Sequence, residues 1–316
     1  MEFKFTENAP HEEGFSPIFH EKIVPILKHH EGLRKEYAKQ AMIGMGGSGT
    51  VGVGGAGAGV GYESEFGLLG GGVGLFGIFA VRAYYQNKWK GGLGGEILPI
   101  LCDFLGEVSY GSQMIDVNAF TRLGVIPSYN ESSLDDPVNG THDGLSWAMT
   151  EAILKTRSRD SKGRTRTSTV FRGLLFSVEI VGPAPRIFFG TDRGGVGNWF
   201  SETFSSSRKG LEKLEVDHPE FERVYEVYAS DPDAARRYLN GNLISGLLEV
   251  AKSETSKKYI ACAMEGDRLY LALPRSGDFL GLGSLFRPVT TIESDLHEAL
   301  ADLTLPGRLI DKLRHG

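Results

Sequence analysis

The chain has few cysteines. Only Cys102 and Cys262 occur among the 316 residues, and they do not form a CxxC motif. This count is typical of a reducing compartment, where isolated thiols pack as small buried hydrophobic side chains. The eight histidines show no metal-ligand spacing, and the adjacent His29 and His30 fall on different faces of a helix. The sequence therefore indicates buried thiols and predicts no metal site.

An excess of basic residues is also lacking. The formal net charge is −6, which argues against nucleic acid as a partner, because duplex-binding proteins usually carry a broad basic surface. Residues 1–16 are acidic and contain no apolar core, so we expect no secretory signal there. Hydrophobic residues make up 41 % of the chain, which is enough for the core of one large or two small domains.

Familiar catalytic motifs are missing as well. The sequence contains no GxSxG, no HExxH, no P-loop lysine motif and no kinase signature. We therefore assign no catalytic residue, cofactor or cofactor-binding residue, and expect a non-enzymatic protein. One segment does combine carboxylates with a histidine: residues 135–144, with Glu151 beyond them. Its Asp, Asn, Pro and Gly residues predict a tight loop, and a membrane-tethered enzyme using His142 and Asp143 is the alternative.

Glycine, in contrast, is abundant and unevenly distributed. Of the 43 glycines, 16 lie between Gly44 and Gly77. This stretch contains two charge-free runs, residues 40–62 and 66–81. A helix rises about 1.5 Å per residue, so roughly 20 residues cross a 30 Å hydrocarbon layer. The first run is long enough for this and the second is short.

Three structures compete for the glycine-rich stretch. A flexible linker would have polar spacers, whereas the spacers here are aliphatic or aromatic. Residues 44–49 and 52–57 fit GxGxxG, but no buried strand precedes them and no acidic residue follows at the required distance. Small residues four apart, such as Gly70 and Gly74, favour close packing of two membrane helices. We therefore predict a two-helix transmembrane hairpin at residues 40–85.

The charges around this hairpin predict its orientation. Several Lys and Arg residues precede the first run and follow the second, and the turn between the runs carries two glutamates. By the positive-inside rule, both flanks are cytoplasmic. We expect a protein of the bacterial inner membrane with membrane lipid as a partner. The predicted organisation is an N-terminal amphipathic helix region (1–39), the hairpin (40–85) and a cytosolic domain (91–316).

The remaining sequence predicts an α+β fold with an antiparallel sheet and packed helices. Hydrophobic residues alternate on both arms of residues 145–180, which indicates a long hairpin. Residues 186–191 and 221–229 read as further strands, and a second hairpin is expected around the turn at 265–267. Asp231-Pro232 is typical of a helix start.

The order of these features resembles a family of bacterial membrane proteins known as domain-of-unknown-function family 3137. The resemblance rests on the two-span hairpin and on three segments: FTRLGVIP (120–127), VFRGLLF (170–176) and FERVYEVYASDP (221–232), the last followed by Ala234-Ala235-Arg236. These segments are patterns of packing and turns, so the resemblance implies a fold and transfers no catalytic residue. The glycine load of the spans departs from the family, whose spans usually contain bulkier aliphatic residues.

One loop is a candidate surface for anionic lipid. It carries five basic residues, Arg157, Arg159, Lys162, Arg164 and Arg166. Near an inner leaflet, each basic residue contributes about 1 kcal/mol of attraction, although a solvated hairpin tip would have the same composition. The sequence thus predicts a membrane-anchored binding or scaffold protein with a lipid or protein partner. A soluble α+β protein with a glycine-rich linker is the other alternative.

Overall fold

The computed structural model of the chain describes residues 2–60, 66–111, 115–159, 163–191, 208–253 and 260–315. The chain divides into two compact units. One, here called the helical unit, comprises Met1–Phe104 and Leu280–Asp302. The other, the sheet unit, comprises Leu105–Phe279 and Leu303–Gly316. Residues 280–302 therefore belong with the glycine-rich helices, although they follow the sheet in sequence.

The helical unit is built on two long helices. A short helix α1 (Phe15–Ile18) and a π-helical turn (Phe19–Ile23) lead into α2 (Val24–Val60), and α3 spans Phe66–Leu105. Pro25 does not interrupt the helix because it directly follows the π-helical turn, in which Val24 N–H bonds to the Phe19 carbonyl. This wider turn accommodates the proline ring, which has no N–H to donate. Helix α8 (Glu293–Leu303) completes the unit.

Helices α2 and α3 pack in antiparallel order. His30 Nε2 lies 2.9 Å from Glu96 Oε1, and the rings of Tyr37 and Tyr85 are 6.0 Å apart. At Gly44, an added Cβ atom would lie 2.8 Å from Val81 Cγ1, so the absence of a side chain permits the close approach. Within the described ranges, no helix has both the length and the apolar character that a membrane crossing needs. The predicted transmembrane hairpin therefore has no support from the structure.

A buried tryptophan on α3 contacts both α2 and Gly283 within the helical unit. Trp89 on α3 is 1 % exposed, and its indole Nε1 donates to the His30 carbonyl at 3.4 Å. Gly283 adopts a φ of +65°, and a Cβ there would lie 2.7 Å from the Trp89 ring. Glycine is therefore required at 283 for both backbone conformation and packing.

The sheet unit contains seven antiparallel strands in the order β1-β2-β3-β4-β6-β5, with β7 on the other side of β4. The strands are β1 (Val108–Tyr110), β2 (Glu131–His142), β3 (Leu145–Arg159), β4 (Thr165–Thr191), β5 (Glu212–Leu214), β6 (Tyr225–Ala229) and β7 (Ala261–Pro274). The predicted α+β class with an antiparallel sheet and packed helices is confirmed, as is the hairpin formed by β3 and β4.

Three strand predictions were wrong in detail. Strand β6 begins at Tyr225 and not at residue 221, because Pro219–Glu222 form a short helical turn. Residues 186–191 do not form a separate strand but continue β4. The turn predicted at 265–267 is a bend within β7, which pairs with β4 on both sides of it. Gly266 has a φ of +63° at this bend, and the β4 register shifts opposite it. Gly266 therefore allows a bend within one strand and does not mark a reversal of the chain.

Helices cover both faces of the sheet. Helix α4 (Val117–Leu123) packs against alanine and aromatic side chains of β3, β4 and β7. The other helices of the unit are α5 (Pro219–Glu222), α6 (Pro232–Arg236), α7 (Gly241–Ser253) and α9 (Leu305–His315). The predicted start at Asp231 is confirmed, since its side chain accepts a bond from Ala234 N at 3.0 Å. Both cysteines are free and buried, as predicted.

Candidate ligand-binding site

An apolar cavity of about 540 Å³ lies in the sheet unit. Its inner wall consists of buried side chains from strands β4 and β7 and helices α7 and α9, namely Val178, Met264, Leu269, Leu243 and Ile310. Ligand pockets typically have volumes of about 300–1,000 Å³ and are lined mainly by hydrophobic side chains. The cavity has the size and lining of a binding site for an apolar group.

Strand pairing and helix capping position these side chains. Val178 pairs with Leu269 across β4 and β7, so both side chains point to the same face. Helix α7 begins at Gly241 because the Asn240 side chain accepts a hydrogen bond from Leu243 N at 2.9 Å, which is a typical N-cap. This cap places Leu243 in the first turn, where it faces the strands.

The rim of the cavity is exposed, and among the residues that the structure describes there it carries one cation, Arg237. Val181 on the rim is 79 % exposed. The Arg237 guanidinium lies 5.1 Å above the Tyr238 ring and donates to the Pro183 carbonyl at 3.5 Å. Glu179 also lines the rim, and its carboxylate accepts from Ser146 N at 3.1 Å. The rim therefore combines apolar surface with a solvent-exposed positive charge.

A second, larger cleft of about 690 Å³ is polar. Among its lining residues, the Arg268 guanidinium donates to Ser177 Oγ at 3.4 Å and to Ser146 Oγ at 3.3 Å, and pairs with Glu179 at 3.7 Å. The positive charge of this cleft thus already has an acidic partner and two hydroxyl partners. The apolar cavity is therefore the better candidate for ligand binding.

Most of the acidic segment at residues 135–144 is strand and not loop. Residues 135–142 belong to β2, which pairs with β3 and carries a bulge between Asp135 and Val138, whereas Asp143 and Gly144 form the turn between β2 and β3. Pairing with β1 and β3 satisfies the backbone, and this outweighs the turn preference of the residues. Asp136 and His142 are six residues apart on the strand, which separates them by about 20 Å. The carboxylates at the bulge therefore lie apart from His142 and Asp143, and the enzyme alternative, which uses these two residues, stays a hypothesis.

The carboxylates themselves do form a group. The pKa of Asp136 is raised to about 7, mainly by burial and in addition by the nearby charges of Asp135, Asp278 and Glu151, although a 2.7 Å hydrogen bond from Tyr110 Oη opposes the rise. Burial also raises the pKa of Glu151. The fold thus keeps acidic groups close together at the bulge of β2.

Replacing Asp136 with asparagine is expected to stabilise the sheet unit at pH 8. The folded-state pKa of about 7 exceeds the ordinary value of 3.8, so the wild type loses stability as pH rises between these values. The variant should gain about 2 kcal/mol at pH 8 and progressively less towards pH 4. Asparagine tolerates the φ of +46° at this position.

Denaturant titrations at both pH values, followed by tryptophan fluorescence, measure this difference. Asp135→Asn is the matched control, because the Asp135 side chain is exposed, and it should show a much smaller effect. A gain for Asp136→Asn that is the same at pH 4 and pH 8 would contradict the assigned cause.

His142 and Asp143 meet a residue that the sequence did not associate with them. His142 Nε2 lies 2.7 Å from Asp311 Oδ1 on α9, and ligand atoms of all three residues lie within 4.8 Å of one another. The imidazole also packs against Gly307, where a Cβ would lie 3.2 Å from the ring. The His142–Asp311 contact joins the β2–β3 hairpin to α9.

The candidate anionic-lipid surface lies at the end of the β3–β4 hairpin. Arg157 and Arg159 pair with Thr167 and Thr165, and Arg166 pairs with Ser158. Because side chains alternate along a strand, Arg166 points to the face opposite Arg157 and Arg159. Arg157 also pairs with Glu131 at 3.3 Å. Arg164 is exposed just before β4, and Lys162 lies outside the described residues. Lipid binding by this group stays a prediction.

The sequence alone did not reveal the apolar cavity. Its lining residues range from Leu145 to Ile310, and each follows a pattern that also describes an ordinary core position. The one local signal was Val181-Gly182-Pro183, an apolar residue beside two turn-forming residues in the middle of β4.

Comparisons with known proteins add a family match. The crystal structure of the mycobacterial trehalose monomycolate transport factor A, TtfA, aligns with 68 % of this chain and 90 % of that chain, at 11 % sequence identity and a TM-score of 0.31. No curated protein matches the chain. A family model described as a protein of unknown function (DUF3137) matches residues 169–315. This range contains VFRGLLF and FERVYEVYASDP, so the match supports the resemblance to family 3137 over this part of the chain.

Proposed function

We propose that this chain is a non-enzymatic binding protein whose sheet unit holds the hydrocarbon chain of a lipid. The carrying observation is the cavity of about 540 Å³ with its buried wall of Val178, Leu243, Met264, Leu269 and Ile310. Burying apolar surface of the ligand there contributes about 25 cal/mol per Å². The exposed Val181 at the rim adds apolar surface where a chain would enter.

Photo-crosslinking tests this proposal. The full chain is irradiated with a neutral long-chain alcohol that carries a diazirine, and the labelled peptides are identified by mass spectrometry. We expect saturable labelling of peptides from β4, β7, α7 and α9 that line the cavity. Labelling confined to other surfaces, or no labelling, would refute the proposal.

We further propose that the glycine-rich helices tether the protein to the bacterial inner membrane, with both termini cytoplasmic. The supporting observations are the charge-free runs, the basic flanks and the acidic turn of the sequence. The close approach of α2 and α3 at Gly44 is the kind of contact that small residues permit between paired helices. Anchoring in the membrane would keep the protein near a source of lipid. A protein partner would then receive the lipid from the cavity.

Alkaline carbonate extraction tests the tether. The full chain is expected to remain in the membrane pellet after extraction, together with a known integral membrane protein. Release into the supernatant with soluble proteins would rule out the tether and favour the glycine-rich linker. It would leave the cavity proposal intact.

A further inference from the structure

We infer that the ligand of the apolar cavity is an anionic amphiphile, whose headgroup binds Arg237 at the rim. This inference rests on the proposed function and names the class of molecule involved. An uncharged hydrocarbon would need only the inner wall, whereas the rim presents a cation next to exposed apolar surface. Carboxylate and phosphate headgroups share the chemistry that a guanidinium recognises.

The position of Arg237 supports this assignment. Arg237 directly follows the last residue of α6, and its exposed side chain lines the cavity. In the described part of the chain, its contacts are the Tyr238 ring and a long hydrogen bond of 3.5 Å to the Pro183 carbonyl. Stacking on an aromatic ring orients a guanidinium while leaving donors on its edge available. The planar guanidinium of Arg237 is thus held at the entrance of the cavity.

The acidic residue at the rim does not cancel this charge. The Glu179 carboxylate accepts a hydrogen bond from Ser146 N at 3.1 Å and lies 3.7 Å from Arg268. The pKa of Glu179 is lowered by its bonds to Ser146, which shows that its charge is stabilised by its own partners. Two other polar side chains line the cavity: Asn240, whose oxygen is used in the N-cap of α7, and Tyr238, whose phenol is neutral. Arg237 is then the group at the rim that is suited to bind an anion.

Competition experiments test the inference. Dodecanoate, dodecyl phosphate and dodecyltrimethylammonium are compared as competitors of cavity photo-crosslinking, each below its micelle-forming concentration. We expect one or both anions to compete at a concentration about tenfold or more below that of the cation, because a charge-assisted hydrogen bond contributes about 1.5–3 kcal/mol. The two anions distinguish a carboxylate from a phosphate headgroup.

The matched variants are Arg237→Gln and Arg236→Gln. Arg236 is an exposed neighbour on α6 whose guanidinium contacts the Glu215 carbonyl at 3.4 Å. Arg237→Gln should remove most of the preference for anions and leave competition by the cation unchanged, whereas Arg236→Gln should behave as wild type. Equal competition by all three amphiphiles in the wild type would overturn the headgroup assignment while preserving the cavity. Loss of all labelling in the wild type would refute the proposed function itself.

Discussion

Replacing Gly173 with alanine is expected to lower the stability of the β4–β7 pair by about 3 kcal/mol or more. Gly173 lies in β4, opposite Pro274 of β7. An added Cβ would lie 2.1 Å from the Leu273 carbonyl oxygen and 2.7 Å from Arg275 N. Both are backbone atoms, so no side-chain rotation relieves the clash. The two strands must separate locally to admit the methyl group.

Hydrogen exchange measures this effect where it arises. The amides of β4 and β7 near Gly173 should exchange at least about a hundredfold faster in the variant, because they open with a smaller free energy. Gly241→Ala is the control, since a Cβ at position 241 has no neighbour within 4 Å. Wild-type protection of β4 and β7 in Gly173→Ala would mean that the close approach of the strands is not rigid.

The sequence predicted the long hairpin of the sheet because large side chains recur at every second position on both arms. Residues of β3 such as Trp147, Met149 and Glu151 lie on one face, and the structure pairs them with Val178, Phe176 and Leu174 of β4. A helix does not produce a period of two residues over such a length, so this pattern was sufficient to predict two strands.

The sequence failed where turn-forming residues lie inside strands. Asp136 and Pro137 belong to the bulge of β2, and Gly266 to the bend of β7. In each case pairing with a neighbouring strand decides the conformation, and the neighbour is distant in sequence. The partners Val178 and Leu269, both in the cavity wall, illustrate the same limit. Local composition carries no information about which distant residues meet.

A tryptophan at position 243 is expected to abolish binding in the cavity. Leu243 lies in the first turn of α7 and contributes a buried side chain to the wall. An indole in its place would extend into the space that the hydrocarbon chain requires. The backbone N–H that donates to Asn240 is retained, so the start of α7 should be preserved. Labelling of the cavity peptides should fall by about tenfold or more.

The matched control is Thr167→Trp, which adds the same side chain at an exposed position of β4. Val178→Phe is a second blocking variant on the opposite wall, for use if Leu243→Trp does not fold. Thermal unfolding of each variant establishes that the sheet unit is intact before labelling is compared. The control is needed because exposed apolar side chains elsewhere, such as Ile43 on α2 and Phe79 on α3, can also be labelled by a hydrocarbon probe.

Binding in the cavity is therefore decided by the yield of cavity photo-crosslinks in Leu243→Trp relative to Thr167→Trp. Folded Leu243→Trp is expected to lose these crosslinks, and Thr167→Trp to keep them at the wild-type level. If the folded blocking variant is labelled on β4, β7, α7 and α9 as strongly as the control, the hydrocarbon chain does not occupy the cavity and the proposed function is wrong.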